Sequence, residues 1–216
     1  MKIIKPTYEI LTPISKGGIE ELKHIEKVGR VCYKSEDKIT KDGKSAKKFV
    51  KMLVDRGHEA MIEHSTLCVK FIVDRGVSHE LVRHRIASWA QESTRYVNYS
   101  KEKYGQEITV IEPFFFAKKD PETKKKRACW EAVCLEAEKQ YMTLIGLGAT
   151  PQEARSVLPN STKTEVVMTA NYREWRNFFK LRTSEAAHPQ MKEVTRMLLK
   201  DLKKKLPVVF DDIKWK

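Results

Sequence analysis

The sequence predicts an α+β fold, a single helix-rich domain spanning residues 1–216. Apolar residues recur at helical spacing through most of the chain. The few segments that alternate like strands do not follow one helix each, as a doubly wound sheet requires. With 216 residues the chain can bury a core without disulfides or metal.

The elements follow in order. Residues 6–12 read as a short strand. In 18–33, Ile19, Leu22, Ile25, Val28 and Val31 share one face of an amphipathic helix. Phe49, Met52 and Leu53 repeat the pattern in 45–57, and Gly57 is a stop signal. Leu67, Val69, Phe71 and Val73 alternate along a strand at 66–74. Ser78 is placed to cap a short helix over HELVRHR. The charged, proline-bearing stretch 117–127 reads as an exposed loop. A long helix from about Ala128 to Leu147 is expected to bury a stripe of Trp130, Val133, Ala137, Tyr141 and Leu144, with Gly146 and Gly148 ending it.

Thr150-Pro151-Gln152-Glu153 is a capping-box start with proline in the first turn, and that helix must stop before Pro159. Residues 163–171 alternate as a strand. Asn171-Tyr172-Arg173-Glu174 is a second capping-box pattern, opening a helix to about Thr183. The last helix runs from about His188 to Leu206, with Met191, Val194, Leu198 and Leu202 inward, and Pro207 ends it.

Lys+Arg number 42 against Asp+Glu 29, a formal net charge of +13. This excess favours an anionic partner: a nucleic acid, a membrane surface or a phosphorylated small molecule. Cys32, Cys68, Cys129 and Cys134 form no CxxC pair and read as reduced thiols of a cytoplasmic protein. The N-terminal residues lack the apolar stretch of a signal peptide, and no apolar run approaches the ~18 residues of a membrane span. His58 and His64 have neither the HExxH nor the HxxEH spacing, because residue 62 is Ile and residue 60 is Ala, so no metal is expected.

The chemistry concentrates in RHRIASWAQESTRY, residues 83–96. Crowded guanidinium groups repel one another, and an anion among them relieves the repulsion; a phosphate suits best, since each guanidinium offers it a fork of N–H donors. Ser93 and Thr94 add short hydroxyl donors. The segment is either a phosphate cradle or a solvated basic face. Arg155, Arg173 and Arg182 lie elsewhere in the chain, and Arg182 follows Phe178, Phe179 and Leu181 on the edge of an apolar face, where an arginine usually has a partner.

These residues resemble the signature of the flavin-dependent thymidylate synthases: Arg83-His84-Arg85, seven residues, then Ser93, with ESTRY as its tail. HEAMIEHS, EARSVLP, NYREWRNFFKLR and AAHPQMKE also match, in the family's order, over residues 58–193.

The resemblance implies a thymidylate synthase-complementing type fold, helix-rich around an antiparallel sheet. It implies methylation of dUMP at C5 to dTMP, with methylenetetrahydrofolate as carbon donor, FAD as hydride source and NADPH recharging the flavin. It also implies a cytoplasmic homotetramer with shared active sites, and neither nucleic acid nor membrane as partner. By resemblance, Glu80, Arg83, Gln91, Ser93, Thr94, Arg95, Arg155 and Arg182 bind dUMP, with Arg182 against the uracil ring and Arg155 reaching in from another subunit. His58, Arg83, His84, Arg85, Gln91, Asn171, Arg173 and Asn177 meet FAD. Asn171 also fits a plain helix cap.

Arg182 and Ser93 are the expected catalytic residues. C5 of uracil is a poor nucleophile, and a guanidinium suits the negative charge that enriches it. Ser93 serves as an orienting donor, since no adjacent base activates it. No cysteine sits in a motif suited to attack on C6. The chain departs from the pattern at Gln91, where some members have Glu, at Glu80 in place of Gln, at Ala90 in place of Asn, and at Ala60 in place of Ser or Thr. The rival is a basic nucleic-acid-binding protein using the RHR segment on phosphates. Against it, the arginines are scattered through capped amphipathic helices and no nucleic-acid module appears.

Overall fold

The computed structural model describes residues 1–118 and 120–215. Strands are β1 (Lys2–Ile4), β2 (Thr7–Ile10), β3 (Thr66–Asp74), β4 (Ser88–Gln91), β5 (Thr109–Ile111) and β6 (Lys163–Asn171). Helices are α1 (Ile19–Val31), α2 (Lys44–Asp55), α3 (Arg75–Leu81), α4 (Pro121–Gly146), α5 (Pro151–Ala154), α6 (Tyr172–Arg182), α7 (Pro189–Lys205) and α8 (Pro207–Phe210). The fold mixes helix with an antiparallel four-stranded sheet of order β2-β3-β6-β4, as expected. β1 and β5 form a separate parallel pair, Lys2 opposite Thr109 and Ile4 opposite Ile111, which periodicity over three residues was too short to announce.

The chain forms two compact units interleaved in sequence. The first comprises Met1–Thr7, Phe71–Arg83 and Trp89–Val167; the second comprises Tyr8–Lys70, His84–Ser88 and Met168–Lys216. β3 and β6 each contribute one half to each unit.

In the first unit, Tyr99, Ile108, Val110, Cys134, Tyr141 and Ala154 form a buried cluster. Trp130 packs on it and donates its indole N–H to Ser161 Oγ at 2.8 Å. Three expectations need correction here. Residues from Pro121 onward are helix rather than loop: Asp120 caps Thr123 N at 2.9 Å, Pro121 takes the first turn, and Glu122–Lys126 and Arg127–Glu131 pair along the helix. The buried stripe of α4 is also narrower than expected, with Cys134 and Tyr141 inside and Val133 63% exposed. Finally, α3 starts at Arg75, capped by Asp74 accepting from Val77 N at 2.8 Å. Ser78 lies inside that helix and donates to Arg75 O.

In the second unit, α6 and α7 supply a buried set that includes Trp175, Phe178, Phe179, Val194 and Leu198. Trp175 donates its indole N–H to Leu67 O at 2.9 Å. Arg176 is 2% exposed and is held by Asp212, Glu59 and the Val209 carbonyl. Gly18, ahead of α1, has φ +67, and a Cβ there would meet Leu206 Cδ2 at 2.4 Å, so glycine is required for both reasons.

Candidate active site

Within the second unit, Asn171, the cap of α6, and Arg173, Glu174 and Asn177 on that helix line a cavity of about 520 Å³ together with Glu59, Glu63 and Ile86. Asn171 caps α6 by accepting from Glu174 N at 2.9 Å, so its carboxamide oxygen is used by the helix and its NH2 group is what it offers a ligand. Arg173 is paired with Glu63. Ile86 exposes 72% of its surface beside these polar groups.

Glu174 does not reach back to the cap, as the capping-box pattern predicts. Its Oε1 lies 3.1 Å from His84 Nδ1, and Asn177 Nδ2 lies 3.2 Å from its Oε2. Arg182, at the end of α6, donates Nε–H to His84 Nε2 at 2.9 Å. Burial lowers the His84 pKa below its usual value; the Glu174 bond opposes this and the Arg182 charge adds to it. The ring also packs edge-on against Phe178, centroids 4.9 Å apart. His84 and Arg182 are thus brought together, and this imidazole is one partner of the arginine, which its apolar neighbours predicted would be paired. Arg85 is exposed in the same unit. His58 lines a different cavity of about 340 Å³ with Arg56, Ala60 and Met61, away from the lining of the Asn171 cavity.

Within the first unit, β4 delivers Gln91 and then a loop carrying Ser93, Thr94 and Arg95. The loop is tied at several points. Glu92 N donates to Glu165 O at 2.9 Å, and Arg95 N donates to Ser93 Oγ at 3.3 Å. The Glu92 carboxylate accepts from Lys163 Nζ and from Tyr99 Oη, both at 2.9 Å. Burial opposes charge on Lys163, but its bonds to Glu165 and Glu92 outweigh this and raise its pKa. Burial, followed by the Glu92 charge, pushes Tyr99 well above the usual tyrosine range. Gln91 donates Nε2–H to Ser78 Oγ at 3.0 Å and to Thr164 Oγ1 at 3.2 Å, which leaves Oε1 as its acceptor. Arg155 Nη1 reaches Thr94 Oγ1 at 3.5 Å within the same chain. Arg83 is exposed just beyond α3, and Glu80 is half-buried on it.

Residues 19–208, which contain every candidate residue named above, match the family model described as thymidylate synthase complementing protein. The chain belongs to this family. Members similar to it include the flavin-dependent thymidylate synthase of Corynebacterium aurimucosum, 34% identical over 92% of this chain and 82% of that protein. That of Pyrococcus furiosus is 34% identical over 77% of this chain and 64% of its own length. Among solved structures, the UMP/dUMP methylase PolB from Streptomyces cacaoi, bound with 5-Br dUMP, superposes with a TM-score of 0.79. It covers 98% of this chain and 96% of its own at 20% identity, a likeness of fold. Glu92 and Glu174, which bond to the Ser93 loop's anchors and to His84, were not singled out by sequence reasoning. Both stand inside quoted motifs, but their roles depend on His84 and Lys163, which lie far away in sequence.

Proposed function

We propose that this chain carries out the reductive methylation of dUMP to dTMP, with methylenetetrahydrofolate as carbon donor, FAD as the resident flavin and NADPH as reductant. One observation carries the reading: Arg182, His84 and Glu174 form a continuous hydrogen-bonded row that ends in the cavity lined by Asn171, Arg173 and Asn177. Two motifs separated in sequence thereby meet, which supports a reading in which a guanidinium and a flavin work side by side.

The cavity suits a flavin. Its rim combines amide and guanidinium donors with the Glu59 and Glu63 carboxylates, able to accept from ribityl hydroxyls, and the exposed Ile86 offers an apolar surface for a flat ring to cover. Asn171, Arg173 and Asn177 would hold it, with His84, Arg83 and Arg85 nearby in the motif. When bound, the flavin supplies the hydride that completes the methyl group. Arg182 stabilises negative charge on the uracil carbonyls and so enriches C5.

Ser93, Thr94, Arg95 and Arg155 take the nucleotide's phosphate and sugar, joined by Arg83. Gln91, with its NH2 group engaged, presents Oε1 to a ribose hydroxyl or the uracil N–H, and Glu80 accepts from ribose. His58 serves the folate side. We place the enzyme in the cytoplasm as a homotetramer whose active sites are shared among subunits. No helix of the described residues is long and apolar enough to cross a membrane.

The test is direct. Purified protein should show flavin absorbance and convert dUMP to dTMP when given methylenetetrahydrofolate and NADPH. Arg182→Ala should keep the absorbance and lose turnover. A colourless protein that makes no dTMP, or near-normal turnover in Arg182→Ala, would refute the assignment.

A further inference from the structure

A guanidinium Nε–H can only donate, so the His84 Nε2 that receives it at 2.9 Å is the unprotonated nitrogen of the ring. A neutral imidazole then carries its proton on Nδ1, 3.1 Å from Glu174 Oε1, and donates it there. Each member of the row fixes the next. We propose that Glu174 is a positioning residue for the reaction: it holds His84 in the Nδ1–H tautomer, and His84 in turn aims Arg182. The proposal rests on the reading in which Arg182 faces the uracil ring.

Three features set Glu174 apart from an ordinary helix-start glutamate. It is 6% exposed, and a carboxylate so buried is costly unless bonded. It stands three residues after the cap, where a glutamate usually turns back to the cap's own N–H, yet it points to a residue 90 positions earlier in the chain. Its second oxygen is also used, by Asn177. The imidazole cannot swivel to a different arrangement, because it is 6% exposed and wedged edge-on against Phe178.

The consequence for Arg182 is geometric. With Nε bonded to His84, one edge of the guanidinium is fixed, and with it the plane of the group. A carboxylate that sets an imidazole's tautomer, and through it the working group, follows the logic of the serine-protease triad. Here the imidazole accepts no proton and orients a guanidinium instead.

The variant that isolates this is Glu174→Gln. Glutamine also suits the third position of a helix start, and its amide N–H2 can face His84 Nδ1. The imidazole proton then moves to Nε2, opposite the Arg182 Nε–H. In protein carrying 15N-labelled histidine, the His84 signals are identified by their loss in His84→Gln. In the wild type, Nδ1 should be the protonated nitrogen; in Glu174→Gln, the Nε2–H form should appear.

Flavin absorbance and the KM for dUMP should stay within about twofold in Glu174→Gln. kcat should fall roughly 10–100-fold, the range seen when a partner that orients a working side chain is lost. Glu174→Asp, which keeps the charge one methylene short, should retain the Nδ1–H form with a smaller loss of kcat, and it also serves if the glutamine variant does not fold. A wild-type His84 protonated on Nε2, equal losses of kcat in both variants, or a loss of kcat without a change of tautomer would overturn the proposal. Wild-type protein that makes no dTMP would refute the functional reading, and the positioning role with it, while the tautomer measurement would still report on the His84–Glu174 pair.

Discussion

Arg176 presents both terminal nitrogens to the Asp212 carboxylate at 2.6 Å, from a position only 2% exposed. The pair fastens the C-terminal segment to α6, and Glu59 Oε1 takes Nε–H at 2.9 Å. Removing one partner of a buried pair leaves an uncompensated charge, which costs about 3–5 kcal/mol when both are deep. Asp212 is 46% exposed, and Glu59 remains, so Asp212→Ala should cost less, about 2 kcal/mol. Urea denaturation should show this as a lower midpoint at unchanged slope. An unchanged midpoint would mean that the guanidinium is held by Glu59 and Val209 alone.

The imidazole of His84 should give the enzyme an acid limit. Its pKa in the folded protein is below the usual ~6.5, chiefly through burial, so the folded state favours the neutral ring. The sign follows: its contribution is complete above about pH 6.5 and is lost as pH falls from there through the folded value. Protonation puts a second donor on Nε2, facing the Arg182 Nε–H. The kcat of the wild type should therefore decline on the acid side, below about pH 6.5. The nucleotide's own phosphate also titrates near pH ~6, but it does so equally in every variant. His84→Gln should lose the part of the acid limb that belongs to the ring; an identical profile would exclude His84 as its source.

Long, periodic elements were legible in the sequence because burial on one face imposes a period: β3, β6, α1, α6 and α7 lie where their apolar residues put them. The start of α4 was not legible, because lysines beside a proline read as a loop until Asp120 is seen capping the helix. Ser78 was misread for a related reason: it has the chemistry of a cap, but Asp74, four residues earlier, does the capping. The motif residues identified the family, while the groups that orient them did not stand out. Glu174 follows a local rule of helix starts and breaks it only because His84 comes within reach in the fold, a fact that no window of neighbouring residues contains.

The proposed reaction assigns no part to a thiol. Cys32 and Cys129 are exposed, Cys68 is half-buried on β3, and burial raises the Cys134 thiol above its usual range. None belongs to the Arg182–His84–Glu174 row or the Ser93 loop. Replacing Cys32, Cys68 and Cys129 by Ser should preserve dTMP formation within about twofold, whereas Cys134→Ser, which puts a hydroxyl into the core of the first unit, should cost about 1–3 kcal/mol. Activity assays and thermal melts on the separate variants check both halves. Loss of all turnover in a folded single variant would point to a protein nucleophile.

The Ser93–Arg95 loop should owe its shape to Glu92. One carboxylate oxygen takes the Lys163 ammonium and the other the Tyr99 hydroxyl, with Glu92 14% and Lys163 21% exposed by side chain. Those two bonds, on either side of one residue, hold the backbone from which Ser93 and Thr94 project. Glu92→Ala removes both at once and leaves the Lys163 ammonium half-buried beside Glu165. A loosened loop loses pre-organised donors in the ground state and transition state alike, so the effect should appear in KM for dUMP, on the order of tenfold, with kcat much less changed. Tyr99→Phe removes one anchor only and should raise KM by a smaller factor. If Glu92→Ala binds dUMP normally while Tyr99→Phe does not, the tyrosine hydroxyl acts through something other than the carboxylate, and Glu92 does not shape the loop.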